Sequence, residues 1–411
     1  MLRTPKDVAG ASVPHRQWLA LCSHPYSGAV NSSMNPWDTP IDRRGTSATK
    51  WEKYDEAVLP FWVADMDLPT PDFILQAVRQ RLEHPILGYT NVPDQLNQAF
   101  IDCMAQRYDW AVHPSWLVWI PGVVVGLNLA AQAVAQANDP IYAMPPVYFP
   151  FLDIANNARA QRVDVPLLEA GWRMDLDALE QRASETDPAR QRLLLLCNPQ
   201  NPTGRAYSEA ELRALGDRCE RHNLVICSDE IHCDLLLDEK VRHIPIASLN
   251  ADLADRSITL MAPTKTYNMP GLGCAVAIIP NPKLRQAFRS ARRGTVSGIT
   301  VLGYAAGIAA YQQDQQWIMQ LRDYLRGNYQ RLASVAGSRL TPLQATYLGW
   351  LDVRDLAEVD PARFFESHGL GLSDGAAFGA PGFVRFNFAC PRPQLEQGLE
   401  RLARALAAIT V

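Results

Sequence analysis

Lysine is scarce in this 411-residue sequence: six residues, at 6, 50, 53, 240, 265 and 283, among 39 basic side chains. Positive charge is not in surplus either. With 43 acidic side chains the formal net charge is −4, which leaves no electrostatic footprint for nucleic acid or an anionic membrane. No apolar run approaches the ~18 residues that a membrane-spanning helix requires. The first residues lack a basic stretch followed by an apolar one, so no secretory signal is expected and a cytoplasmic location is. The eight cysteines, at 22, 103, 197, 219, 227, 233, 274 and 390, form no Cys-x-x-Cys pair. Their scatter predicts reduced, mostly buried thiols rather than a disulfide framework. Cys227, His232 and Cys233 are neighbours in sequence but match no familiar zinc spacing, so no metal is expected. Internal repeats and low-complexity tracts are also missing.

What is present is apolar material. At 47% hydrophobic residues the chain can fill a large core, and its length fits two units. Residues 1–33 have weak periodicity and are expected to be a poorly ordered extension. Residues 34–84 are expected to join a smaller unit, with "FWVADMD" as a short strand before a two-proline turn and an amphipathic helix. Between 85 and 295 apolar strands in "LVWIPGVVVGLNLAAQAVAQ", "PIYAMPPVYFPF", "RLLLLCNPQNPTG", "LVICSDEIHCDL" and "SITLMAPTK" alternate with helical patterns. Continuous apolar strands separated by helices predict an α/β unit with a mostly parallel sheet covered on both faces. Residues 296–411 read as a linking helix and a C-terminal α+β unit.

Ligands of open α/β sheets bind beyond the carboxyl ends of the strands. The residues just past each predicted strand are therefore the candidates: Val123 and Val124 after a glycine turn, Tyr148, Asn198 to Gly204, Asp229 with His232, and Lys265. Five of the six lysines sit in charged, terminal or Pro/Asn-rich contexts that read as surface. Lys265, in "TLMAPTKTYNMPGLG", alone follows a buried strand. A primary amine there is costly unless a partner or a covalent bond relieves its charge. A Schiff base to an aldehyde cofactor would do so, and arginine could not form one. Asp229 closes an apolar strand and calls for a cationic partner such as a protonated pyridine nitrogen. The turn at "PGVVVGLN" offers backbone N–H groups at a helix start to a phosphate.

"NPQNPTGR", "SDEIHCDL" and "APTKTYNMPGLG", in this order, resemble the fold-type I pyridoxal-5′-phosphate enzymes of the aspartate aminotransferase superfamily. "IDRRGTSATKWEKY", "LPFWVADMD" and "GYT" at 88–90 are similar to the MalY/PatB group of cystathionine β-lyases, or C–S lyases. The resemblance spans about residues 35–411. It implies a large domain with a mostly parallel sheet and a smaller α+β domain. It makes Lys265 the lysine joined to the cofactor aldehyde and Asp229 the partner of the pyridine nitrogen. Asn201 and His232 would lie near the phenolic oxygen, with Tyr148 stacked on the ring. Val123, Val124 and Thr264 would hold the phosphate. Tyr89 would reach the phosphate of a neighbouring subunit, which implies a homodimer with shared sites. Arg385 would grip the substrate carboxylate, and Ala64 would line the substrate site. Two positions depart from the superfamily pattern: Ala262 stands where many members have serine, and Gly273 where many have a phosphate-binding arginine or lysine.

The activity so implied is α,β-elimination from cystathionine or another cysteine S-conjugate, giving a thiol, pyruvate and ammonia. The alternative is a class I/II aminotransferase, which uses the same residues. A non-catalytic binding protein on this fold is disfavoured by the retention of Lys265, Asp229 and Arg385.

Overall fold

The strands are β1 (Leu59–Pro60), β2 (Leu117–Ile120), β3 (Pro140–Ala143), β4 (Gln161–Asp164), β5 (Leu193–Cys197) and β6 (Val225–Asp229). They continue with β7 (Ser257–Met261), β8 (Ala275–Ile278), β9 (Leu348–Asp352), β10 (Leu370–Gly371), β11 (Ser373–Asp374) and β12 (Phe383–Asn387). This computed structural model describes residues 35–187, 189–313, 315–356 and 360–409, so the expected extension over 1–33 lies outside the described residues.

Seven strands form one sheet in the order β2-β8-β7-β6-β5-β3-β4. The run from β7 to β4 is parallel, and β8 is antiparallel to both β7 and β2. All five residues of β5 are buried, because helices cover both faces and leave no face for alternating polar residues. Cys197 at the end of β5 is opposite Asp229 of β6, and Asp229 is opposite Leu260 of β7. That register brings the loops after three strands to one edge. The helix Val123–Val134 follows β2 and packs against the same sheet.

The smaller unit is the antiparallel sheet β11-β12-β9, packed with the helices Gln316–Ala336 and Arg392–Ile409. Of the segment expected over 34–84, the described residues 35–84 divide between the two units. Phe61 stacks on Phe386 of β12 at 4.4 Å, and Leu59 and Pro60 pair with β10. The helix Asp72–Leu82 instead buries Ile74 with residues of the helix Val301–Gln312. "FWVADMD" forms no ladder beyond β1. Phe61 O accepts the backbone N–H of Asn387, but the carbonyls from Trp62 to Met66 are taken by side chains, so the expected strand is a bent strap.

Lys50 corrects the reading of five surface lysines, since it is fully buried. Its Nζ lies 2.8 Å from Asp67 Oδ2, and Asp67 also accepts from Arg43 (2.7 Å), Trp51 Nε1 (2.9 Å) and Gln394 (2.9 Å). Burial pushes the Asp67 carboxyl up, and the Lys50 charge together with the hydrogen bonds from Lys50, Trp51 and Gln394 more than offsets it, so the group sits below the usual carboxylate range. Lys50→Met is expected to lower stability by about 3 kcal/mol, because it leaves a buried carboxylate with only Arg43 as counter-ion. Urea unfolding checks this against Lys283→Met, an exposed lysine whose loss should change stability by less than about 0.5 kcal/mol. Among the described residues no helix is long and apolar enough to cross a membrane, and no group of three His, Cys, Asp or Glu is placed to hold a metal ion.

Candidate active site

The loop after β5 shows why "NPQNPTG" has its composition. Asn198 Oδ1 accepts the Tyr207 N–H at 3.1 Å, and Gln200 Nε2 donates to Pro146 O at 2.9 Å. Gly204 has φ +70°, and a Cβ there would stand 2.6 Å from Leu343 Cδ1, so only glycine closes the turn. Its carbonyl accepts from Gln344 and Ala345, at 3.0 and 2.8 Å. The turn delivers Asn201 inward, 4% exposed. Asn201 N–H donates to Cys197 Sγ, and its Oδ1 accepts from Arg385 NH1 at 2.9 Å.

Arg385 projects from β12 and is 3% exposed. Besides Asn201 it donates to Trp62 O at 2.7 Å, and its guanidinium carbon lies 4.7 Å from the centre of the Phe378 ring. Among the described residues its Nε has no partner, and no carboxylate bonds it. Burial lowers its pKa to about 10, so it remains a cation with only neutral acceptors. That is the condition of a group that binds an anion.

Lys265 Nζ donates to Ala64 O at 2.7 Å, and Tyr347 O–H donates to the same oxygen at 2.9 Å. Burial brings the Lys265 amine down to about 8; the Asp65 charge opposes this, Arg385 adds to it, and Asp229 opposes it. Asp229 is pushed up to about 7 by burial, against the Ile231 N–H it accepts at 3.0 Å and the Lys265 charge. An acid with so little compensation needs a donor brought by a ligand. His232 is lowered to about 3 by burial and by the charges of Lys265 and Arg385. It is therefore neutral, and its Nδ1 is buried without a partner among the described residues. Tyr148 is raised by burial, with Arg385 lowering and Asp229 raising it, which places its hydroxyl near both charges. Its ring meets Phe149 edge-on at 4.9 Å.

At the edge of the sheet the helix Val123–Val134 begins after Gly122, with no side-chain cap. Its first ladder bond is Gly126 N to Gly122 O, so the N–H groups of Val123, Val124 and Val125 have no partner within the helix. Thr264 is buried nearby in sequence to Lys265. The two departures have local reasons. Ala262 packs in an apolar cluster with Val123 and Leu260. Gly273 has φ +55°, and a Cβ there would lie 3.1 Å from Pro121 O, so a longer side chain would be strained. These features fit pyridoxal phosphate: an open helix start for the phosphate, an under-compensated acid for the ring nitrogen, and an orphaned imidazole nitrogen for the phenol.

The structure thus brings together Lys265, Asp229, Asn201, His232, Tyr148, Arg385 and Ala64. It does not bring Tyr89 to this chain's site, where that residue is fully exposed. Sequence reasoning missed Tyr347, Trp62, Asp65 and Phe378. Tyr347 sits in an ordinary-looking strand entry, and the backbone role of Trp62 leaves no signature in residue type.

The aminotransferase class I and II pattern matches residues 57–402. The chain belongs to this family. Cystathionine beta-lyase PatB of Bacillus subtilis is 35% identical over 90% of this chain and 100% of its own length. The crystal structure of OvoB shares 44% identity, with a TM-score of 0.86 over 91% of this chain and 100% of that one. The PLP-bound C-S lyase of Staphylococcus hominis shares 31% identity, with a TM-score of 0.84 over 91% and 99%.

Proposed function

We propose that this chain is a pyridoxal-phosphate-dependent carbon–sulfur β-lyase that cleaves cystathionine or a related cysteine S-conjugate to a thiol, pyruvate and ammonia. The observation that carries the reading is the geometry around Lys265: an amine tuned to about 8, flanked by a poorly compensated acid and a guanidinium without a counter-ion. The full-length likeness to a cystathionine beta-lyase and to a C-S lyase supports elimination as the outcome.

When bound, the cofactor supplies an electron-withdrawing ring conjugated to the substrate amine. Asp229 would accept the N–H of that ring and favour its protonated form. His232 and the Asn201 carboxamide N–H2 would address its phenolic oxygen, and Tyr148 would cover one face. The free N–H groups of Val123 and Val124 and the Thr264 hydroxyl would hold the phosphate. Arg385 takes the α-carboxylate as a fork, with Phe378 beneath it. Lys265 Nζ removes the Cα proton as general base, and that proton is then available to the sulfur as it leaves Cβ. Ala64, one residue from Asp65, borders the space beside this amine.

Two copies form the working unit. Ile86, Leu87 and Tyr89 are exposed on one loop, at 66%, 57% and 111%, an apolar patch that a second copy would cover. The partner subunit's Tyr89 then completes the phosphate shell, which has glycine at 273. The decisive experiment supplies cystathionine with no keto acid. Stoichiometric pyruvate and free thiol are expected; product only when a keto acid is added would make the chain an aminotransferase.

A further inference from the structure

Each carbonyl from Trp62 to Met66 is claimed by a side chain. Trp62 O accepts from Arg385 (2.7 Å) and Ser373 (2.9 Å). Val63 O accepts from Asn387 (2.5 Å), and Ala64 O from Lys265 and Tyr347. Asp65 O accepts from Asn387 (2.7 Å) and Lys50 (3.3 Å), and Met66 O from Asn268 (3.0 Å) and Arg43 (3.3 Å). The chain bends at Val63, Ala64 and Asp65, and the Asn387 carboxamide lies across that bend. One nitrogen, Nδ2, serves both carbonyls that flank Ala64. The other end of the carboxamide is fixed too, since Oδ1 accepts the Ala389 N–H at 2.9 Å. Asn387 is fully buried and stands two residues beyond Arg385 on β12.

We propose that Asn387 is a positioning residue for Lys265: by holding the carbonyls of Val63 and Asp65 it leaves the Ala64 carbonyl to dock the lysine amine whenever that amine is free. Asn387 bonds neither Lys265 nor Arg385, so it acts through the strap. The inference rests on the reading of Lys265 as the amine that works at the substrate's Cα. Docking favours the ammonium form, since a carbonyl accepts from it more strongly than from the neutral amine. The charged or titratable groups that face Lys265 are Asp65 and Asp229, which favour the ammonium, and Arg385, which disfavours it. His232 stands by as a neutral ring, and Tyr347 competes for the same oxygen. Replacing Asn387 by leucine alters none of these charges.

The test is trace acetylation of Lys265 by acetic anhydride in the cofactor-free full chain across pH, read by peptide mass spectrometry. In the unsubstituted protein the midpoint is expected near about 8. In Asn387→Leu it should fall by about one pH unit, the loss of one hydrogen bond to a charged group, with a cooperative thermal transition retained. An unchanged midpoint in folded Asn387→Leu overturns the proposal. Should that variant not fold, Tyr347→Phe decides. With the competing hydroxyl gone the midpoint should rise by about half a unit, and no rise would show that Ala64 does not dock the amine. Acetylation reads the free amine without turnover. A shifted midpoint in a protein that makes no pyruvate would therefore reject the lyase reading and leave the dock intact.

Discussion

Lys265→Ala is expected to lower pyruvate release from cystathionine by about 10⁴-fold or more, because the residue both bonds the cofactor and moves the Cα proton. The protein should stay folded. The Lys265 side chain donates to Ala64 O, and Tyr347 continues to donate to that oxygen. A coupled pyruvate assay and a visible absorption spectrum check the two halves: activity lost, and the cofactor's absorption changed or absent. Small primary amines added to the variant should restore a measurable fraction of the rate, rising with pH as more free amine is present. Turnover within tenfold of the unsubstituted enzyme would mean that the chemistry is carried by another group.

Asp229→Asn should act in opposite directions on activity and stability. Turnover is expected to drop by about 10³-fold, since the amide cannot hold the cofactor ring in its cationic, electron-withdrawing form. Stability of the cofactor-free protein is expected to rise at neutral and alkaline pH. The sign follows from proton binding. Burial holds the folded-state pKa of Asp229 at about 7, above its ordinary value of 3.8. Between those values the folded protein binds more protons than the unfolded chain, so stability contributed by this site declines as pH rises through the window and levels off above it. Asparagine is neutral throughout. The difference in thermal midpoint between Asp229→Asn and the unsubstituted protein should therefore be largest above pH 7 and disappear near pH 4. A midpoint difference that is flat with pH would show that Asp229 has a compensating partner within the cofactor-free protein.

Much of the architecture could be read from residue order because buried parallel strands are written as uninterrupted apolar runs. β5 is "LLLLC" and β7 is "SITLM", and both are buried throughout. The chemistry beyond their carboxyl ends was legible for the same reason: a lysine, an acid and an Asn-Pro loop stand out when they follow such a run. Lys50 was misread because its context is polar and its partner, Asp67, is 17 residues away. Nothing local marks a charge as destined for the interior when its counter-ion lies on another segment. The strap was misread as a strand for a related reason. Its residue types suit a ladder, but the acceptors are met by Arg385, Asn387 and Lys265, whose proximity is decided by tertiary structure. Tyr347 and Phe378 act by touching Ala64 O and Arg385, contacts that no short stretch encodes.

The strap has a consequence for how the protein is made. Its bonds to Arg385 and Asn387 join residues 322 to 324 positions apart, which are among the longest loop closures in the chain. On the ribosome, residues 62–66 emerge long before β12 and must wait, carbonyls hydrated, until that strand has been synthesised. A nascent chain stalled before β12 would carry every cofactor-binding residue assigned here to the large sheet and still lack the clamp on the amine dock.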